Sequence, residues 1–150
     1  MSRVREQLAS VDESTLAFIG SSLGGFYATS LAEHYRAQAV LINPAVHPQE
    51  RWHKYQGTHR NYHTGKPVAV TPEHTRELEA LAPAGLARPQ NYLVFLQCHD
   101  EVLDYRKAVA FYGDSQCVLR KDGDHSYAQF QRELPRAFSF LLSRMRLKAR

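Results

Sequence analysis

The sequence predicts an α/β fold built on a mainly parallel sheet, and three observations carry that reading. Short apolar runs at Leu16–Gly20, Ala39–Ile42, Tyr92–Leu96 and Cys117–Leu119 are separated by stretches of helical character. The runs are nearly continuous rather than alternating, as strands covered on both faces require. With 43% apolar and 23% charged residues, the composition is that of a globular domain and not of a disordered or fibrous chain. A length of 150 residues predicts one domain over 1–150, large enough to bury about 68–70% of its unfolded surface in an ordinary core.

Each element has a local reason. Val4, Leu8 and Val11 fall at i, i+4 and i+7, the spacing of a short amphipathic opening helix. Leu16-Ala-Phe-Ile-Gly20 reads as a buried strand ending in glycine. Helix follows from Leu23 to about Tyr35, with Phe26, Leu31 and Tyr35 among its apolar positions. Ala39–Ile42 is a second strand, closed by Asn43-Pro44, because proline cannot continue a ladder. From Pro44 to Thr71 the chain is polar, aromatic and rich in histidine, without clear periodicity, and predicts a functional lid-like loop at about 44–71. Thr71-Pro72 predicts a helix start, with threonine as N-cap and proline at the first helical position. Tyr92–Leu96 is a third strand, Asp104–Tyr112 a short helix, Cys117–Leu119 a fourth strand, and Tyr127 to about Leu147 a closing helix.

Composition also excludes function classes. No run approaches the ~20 apolar residues of a spanning helix. The opening Met-Ser-Arg-Val-Arg-Glu-Gln lacks the apolar core of a signal peptide. Two cysteines, Cys98 and Cys117, cannot make a disulfide framework and point to a cytoplasmic, reducing setting, where both read as small hydrophobes. The formal charge is +4, yet the segment from Gln131 onward holds Arg132, Arg136, Arg144, Arg146, Lys148 and Arg150 against Glu133 alone, a local +5; +4 less +5 leaves −1 for the rest. Basicity confined to one terminal helix reads first as a solvated face complementing the helix dipole, with an anionic partner or a membrane surface as the competing reading, and does not describe a nucleic-acid surface.

The sharpest motif is Gly20-Ser21-Ser22-Leu23-Gly24, followed by Gly25, between a predicted strand and a predicted helix. That context is the one a nucleophile elbow requires. The turn strains the backbone of Ser22, and glycines two before and two after it remove side chains that would clash. Ser22 Oγ then stands at the carboxyl end of the sheet, beside helix N–H groups that face a developing oxyanion. A plain glycine-rich turn and a phosphate-cradling loop are the competing readings, and no lysine follows at the spacing of a nucleotide loop.

A serine hydroxyl needs a base and a group to orient that base. His125 follows the fourth strand and Asp100 follows the third, so both fall at strand carboxyl ends, where open α/β sheets assemble their sites. The order Ser22, Asp100, His125 is that of the α/β-hydrolase triad. Glu101, Asp104 and Asp124 compete as the acid. Asp104 reads more simply as a helix N-cap, and Asp124 adjoins the base, which aims its side chain elsewhere. Asp100 is the favoured acid. His59 and His63 are four apart but enclose no glutamate, so they predict no metal site. Trp52, Tyr55 and Tyr62 are candidate walls of a substrate pocket.

In order along the chain, Phe18-Ile-Gly-Ser-Ser-Leu-Gly-Gly-Phe-Tyr-Ala28, Leu41-Ile-Asn-Pro-Ala-Val46, Asp100-Glu-Val-Leu-Asp-Tyr-Arg106 and Gly123-Asp-His125 resemble the YqiA-type esterases, small bacterial proteins also grouped as an uncharacterised protein family. The resemblance implies an α/β-hydrolase-like three-layer sandwich. It also implies a cytoplasmic serine esterase of carboxylic esters or acyl thioesters, with Ser22 as nucleophile, Asp100 as acid and His125 as base. No metal or organic cofactor is implied. Such proteins begin with an apolar strand and a His-Gly-Phe-type loop, and no such segment precedes Val11 here, so the expected fold is N-terminally truncated. The Leu16–Gly20 strand then becomes an exposed apolar edge, a route to a homodimer. The oxyanion site keeps the Leu23 N–H and lacks a second donor, a loss that typically costs about 10²–10³ in rate. The opposing expectation is a catalytically silent binding or dimerising module.

Overall fold

The computed structural model describes residues 2–61 and 64–148. The chain opens with α1 (Ser2–Leu8) and a 3-10 turn at Glu13–Thr15, then runs through β1 (Ala17–Ser21), α2 (Leu23–Tyr35) and β2 (Gln38–Ile42). A short α3 (Gln49–Trp52) leads into the antiparallel hairpin of β3 (Gly57–Arg60) and β4 (Pro67–Val70), followed by α4 (Pro72–Leu81). The last part is β5 (Tyr92–Gln97), α5 (Tyr105–Tyr112), β6 (Gln116–Arg120) and α6 (Leu134–Lys148).

Four strands pair in parallel in the order β1-β2-β5-β6. The two central strands, β2 and β5, are buried at every position, which is why they read as unbroken apolar runs. Leu41, Val94 and Leu96 face Ala28 and Ala32 of α2 and Ala108 and Tyr112 of α5. On the opposite face, Val40, Ile42, Leu93 and Phe95 meet Ala137 and Leu141 of α6, together with Tyr127. Helices on both faces of a mainly parallel sheet make a three-layer α/β sandwich. The small residues on α2 let that helix lie close against the sheet.

Burying the largest side chains forces their polar atoms to pair. The Tyr92 hydroxyl donates to Glu33 Oε1 at 2.5 Å, and the hydroxyls of Tyr112 and Thr29 share a hydrogen bond of 2.8 Å. Burial, reinforced at Tyr92 by the Glu33 carboxylate, pushes both phenols well above the usual tyrosine range. β1 forms one edge of the sheet. Its Ile19 lies beside Val40, on the face that α6 covers, and is 54% exposed.

The structure differs from the sequence expectation at three places. The closing helix starts at Leu134 rather than Tyr127. Tyr127 and Gln129 adopt left-handed backbone conformations (φ 57° and 67°), and a 3-10 turn at Phe130–Arg132 precedes the helix. The segment 44–71 holds α3 and a hairpin, and both hairpin strands are exposed almost throughout, so neither face imposes an apolar alternation. Val4 and Val11 are each 39% exposed, so the spacing at the N-terminus does not correspond to a buried helix face. Thr71 and His74 form a reciprocal capping box at the start of α4, with Pro72 at the first helical position. Among the described residues, no helix is long and apolar enough to cross a membrane.

Candidate active site

Parallel pairing brings the carboxyl ends of β1, β2, β5 and β6 to one side of the sheet, and the loops that leave them build the site. Ser22 directly follows β1 and N-caps α2 with φ 54° and ψ −125°, outside the regions a non-glycine residue ordinarily occupies. That conformation is held by its own backbone. Its N–H donates to the Ile42 carbonyl at 3.0 Å, and its carbonyl accepts from Gly25 at 3.0 Å and from Ala45 at 2.9 Å. The side chain makes no capping bond and points away from the helix.

The flanking glycines divide the work differently from the sequence expectation. A Cβ on Gly20 would lie 2.2 Å from the Gly24 carbonyl oxygen, and one on Gly25 would lie 2.7 Å from the Pro44 Cβ. A Cβ on Gly24 would meet nothing within 4 Å. Clearance is therefore needed at Gly20 and Gly25, where the turn folds against itself and against the loop after β2. Gly24 is not needed for its own clearance.

Ser22 Oγ lies 2.9 Å from His125 Nε2, and His125 Nδ1 lies 2.9 Å from Asp100 Oδ2 and 3.0 Å from Oδ1. An ionised carboxylate only accepts, so Nδ1 carries the proton and Nε2 offers its lone pair to the serine hydroxyl. The Asp100 side chain is 2% exposed and that of His125 20%. Burial of the carboxylate is compensated by donors: Asp100 Oδ1 also accepts from the N–H groups of Val102 at 2.9 Å and Leu103 at 2.8 Å.

The competing acids have other partners. Asp104 caps α5 by accepting from the Arg106 N–H at 3.0 Å. Asp124 accepts from the Ser126 hydroxyl at 2.7 Å and the Ala128 N–H at 3.3 Å, facing away from the imidazole. Those donors, the hydroxyl first, hold its carboxyl below the usual range. Glu101 Oε2 accepts from the His125 backbone N–H at 3.0 Å, so adjacent acids grip the histidine by ring and by main chain.

A buried amide network positions the histidine loop, and sequence reasoning missed it. Asn43, at φ 40° and 2% exposed, donates from Nδ2 to the carbonyls of Asp124 and His125, each at 3.1 Å. Its Oδ1 accepts from the Gln97 N–H at 2.9 Å, and Gln97 Oε1 accepts from the Asp124 N–H at 2.8 Å. Gly123 leaves the space for this: a Cβ there would lie 2.1 Å from Gln97 Nε2. The signals were a non-glycine turn residue after an apolar strand and a polar residue ending the most buried one. At its far ends the loop is closed by Arg120, whose guanidinium reaches Glu133 Oε1 through Nε at 2.9 Å and Nη2 at 2.5 Å.

A cavity of about 160 Å³ opens beside Ser22 and Leu23. Trp52 and Tyr55 line it, their ring centroids 5.8 Å apart, with Val46, Leu103 and Ala108 among its apolar walls. Tyr62 lies outside the described residues. Among the described residues, no hydrogen bond of the protein engages the Leu23 N–H, which sits at the first turn of α2 next to the Ser22 hydroxyl. The ring of His59 contacts the Tyr55 carbonyl at 2.6 Å, and His63 lies outside the described residues. Among the described residues, no three His, Cys, Asp or Glu side chains are grouped to hold a metal ion.

Two solved structures share this architecture. A candidate hydrolase from Agrobacterium vitis S4 is 20% identical, with a TM-score of 0.65 over 92% of this chain and 67% of that one. Est1E from Butyrivibrio proteoclasticus is 16% identical, with a TM-score of 0.54 over 85% of this chain. The chain spans 60% of the length of Est1E. The resemblance to both is one of fold, a mainly parallel α/β sheet covered by helices on both faces. The profile of the uncharacterised protein family UPF0227 matches residues 1–142, and the chain belongs to that family.

Proposed function

We propose that this protein is a serine hydrolase that cleaves carboxylic esters or acyl thioesters through an acyl-enzyme. Family and fold support a hydrolase role. The observation that carries the finer reading is the unbroken relay from Ser22 Oγ through His125 to Asp100, with both links at 2.9 Å. His125 Nε2 takes the hydroxyl proton as Ser22 Oγ bonds to the substrate carbonyl carbon. The Asp100 carboxylate keeps the other ring nitrogen protonated and stabilises the imidazolium that forms. The Leu23 N–H faces the oxygen that becomes negative. His125 then protonates the departing alcohol or thiol, and a water that it deprotonates releases the acid. The substrate's short apolar part rests against Trp52 and Tyr55. The free thiols of Cys98 and Cys117 fit a reducing compartment, and we assign the activity to the cytoplasm.

A fluorophosphonate probe tests the reading. Covalent labelling at Ser22, lost in Ser22→Ala together with hydrolysis of a model ester, is expected. A folded protein that neither labels nor turns over overturns it.

A second reading, a dimerising module, is favoured by one feature. The unpaired edge of β1 exposes Ile19, and α6 exposes Leu134, Phe138 and Leu142 at intervals of four residues. A second copy brings the same strand edge and the same apolar stripe. Sedimentation equilibrium separates the two: a dimer without turnover supports the module, and a monomer that hydrolyses esters removes it.

A further inference from the structure

The cavity beside Ser22 is not electrically neutral. Arg51 of α3 and Lys107 of α5 enter its wall from two separate elements, and among the described residues Asp104 is its single acidic lining residue. Asp104 is already occupied: it caps α5 and meets Arg106 Nη1 at 3.5 Å. Lys107 Nζ lies 3.3 Å from Glu50 Oε2, so its charge is largely answered within the protein. Arg51 differs. Among the described residues its guanidinium makes no hydrogen bond or ion pair, and the residue is exposed at the cavity mouth. The local surplus is not a by-product of overall basicity, because the chain before residue 131 carries a net −1.

A guanidinium presents a planar fork of donors matched to carboxylate and phosphate oxygens, and it strengthens when a ligand shields it from water. Arg51 and Ser22 line the same small cavity, so an anion held by Arg51 shares it with the carbonyl that Ser22 attacks. We propose that the preferred substrate carries an anionic group close to its ester bond, with Arg51 as the residue that binds it. This rests on the serine-hydrolase reading of the same site. The apolar walls take the short linker, and the charge fixes which way the substrate lies.

Three esters test it. 4-Nitrophenyl butyrate is neutral, 4-nitrophenyl hemiglutarate carries its charge on the acyl side, and 3-carboxy-4-nitrophenyl butyrate carries it on the leaving group. At least one charged ester is expected to exceed the neutral one in kcat/KM by about tenfold, and Arg51→Gln to bring that ratio to about one. Whichever charged ester gains identifies the side on which the anion sits. A neutral ester that is best, or a ratio unchanged in Arg51→Gln, overturns the proposal and leaves the hydrolase reading standing. If no ester turns over and Ser22 does not label, the hydrolase reading has failed instead. Calorimetry on Ser22→Ala then decides for the anion site. Glutarate binding that exceeds butyrate binding and disappears in the Arg51→Gln double variant supports it, and equal binding of the two overturns it.

Discussion

The Asn43 side-chain amide donates to the main-chain carbonyl of His125 across 82 residues of sequence, at 3.1 Å. One buried polar residue after β2 thus sets the height of a loop that follows β6. Asn43→Ala removes three side-chain hydrogen bonds in the interior and leaves the carbonyls of Asp124 and His125 and the Gln97 N–H short of partners. We expect a loss of about 2–4 kcal/mol in unfolding free energy. Urea denaturation measures it, and kcat should fall more than KM rises, because the histidine is displaced relative to Ser22 rather than the pocket emptied.

Asp100→Asn separates orientation from architecture. The amide oxygen can still accept from Val102 and Leu103, which holds the turn after β5, while its NH₂ group faces a ring nitrogen that must itself donate. The imidazole then presents the wrong tautomer to Ser22. A fall in kcat of about 10³- to 10⁴-fold is expected with little change in melting temperature. Equal losses of activity and stability would place the role of Asp100 in folding alone.

The glycines of the elbow should not behave alike. Gly20→Ala forces a Cβ into the Gly24 carbonyl, a backbone collision with nothing flexible to yield, and should prevent accumulation of folded protein. Gly24→Ala points into open space on an exposed helix turn and should change stability by less than about 1 kcal/mol. Thermal melts of the two variants make the comparison.

Stability should decline at alkaline pH. The phenols of Tyr92 and Tyr112 are held protonated by burial, whereas in the unfolded chain they ionise near the ordinary value of 10. Above that pH the unfolded state binds fewer protons than the native state, so raising pH favours unfolding. The slope is about 1.4 kcal/mol per pH unit for each tyrosine that titrates in the unfolded chain alone. Urea midpoints from pH 8 to pH 11 should be level at first and then fall. Tyr112→Phe should flatten the fall.

The parts of this architecture that sequence reasoning reached are those whose cause is local. β2 and β5 read as strands because both of their faces are covered, and α2 reads from its first residue because Gly20-Ser-Ser-Leu-Gly-Gly after an apolar run marks a strand-to-helix turn. Ser22, Asp100 and His125 stood out as reactive types at strand ends, and the structure brings their side chains together. Other features depend on distant partners. The tasks of Asn43 and Gln97 exist only where two loops meet, and a polar residue at the end of a buried strand hints at burial without naming its partner. The hairpin of 57–70 has no covered face to impose a pattern, and the late start of α6 follows from left-handed residues at 127 and 129 that propensity does not require. Nothing local marks Arg51 as a pocket residue, and only the fold places it on the same cavity as Ser22.

Placement of β1 at the rim of the sheet has a kinetic consequence. Ser22 follows a strand with hydrogen-bonded company on one flank alone, so the main-chain protons of residues 17–21 should trade with deuterium far sooner than those of 92–97, enclosed on both sides. Any fraying there reaches Ser22 within a residue. Whatever comes to lie along that rim, be it another protein, another copy or a designed peptide, would slow that exchange and steady the turn that carries Ser22.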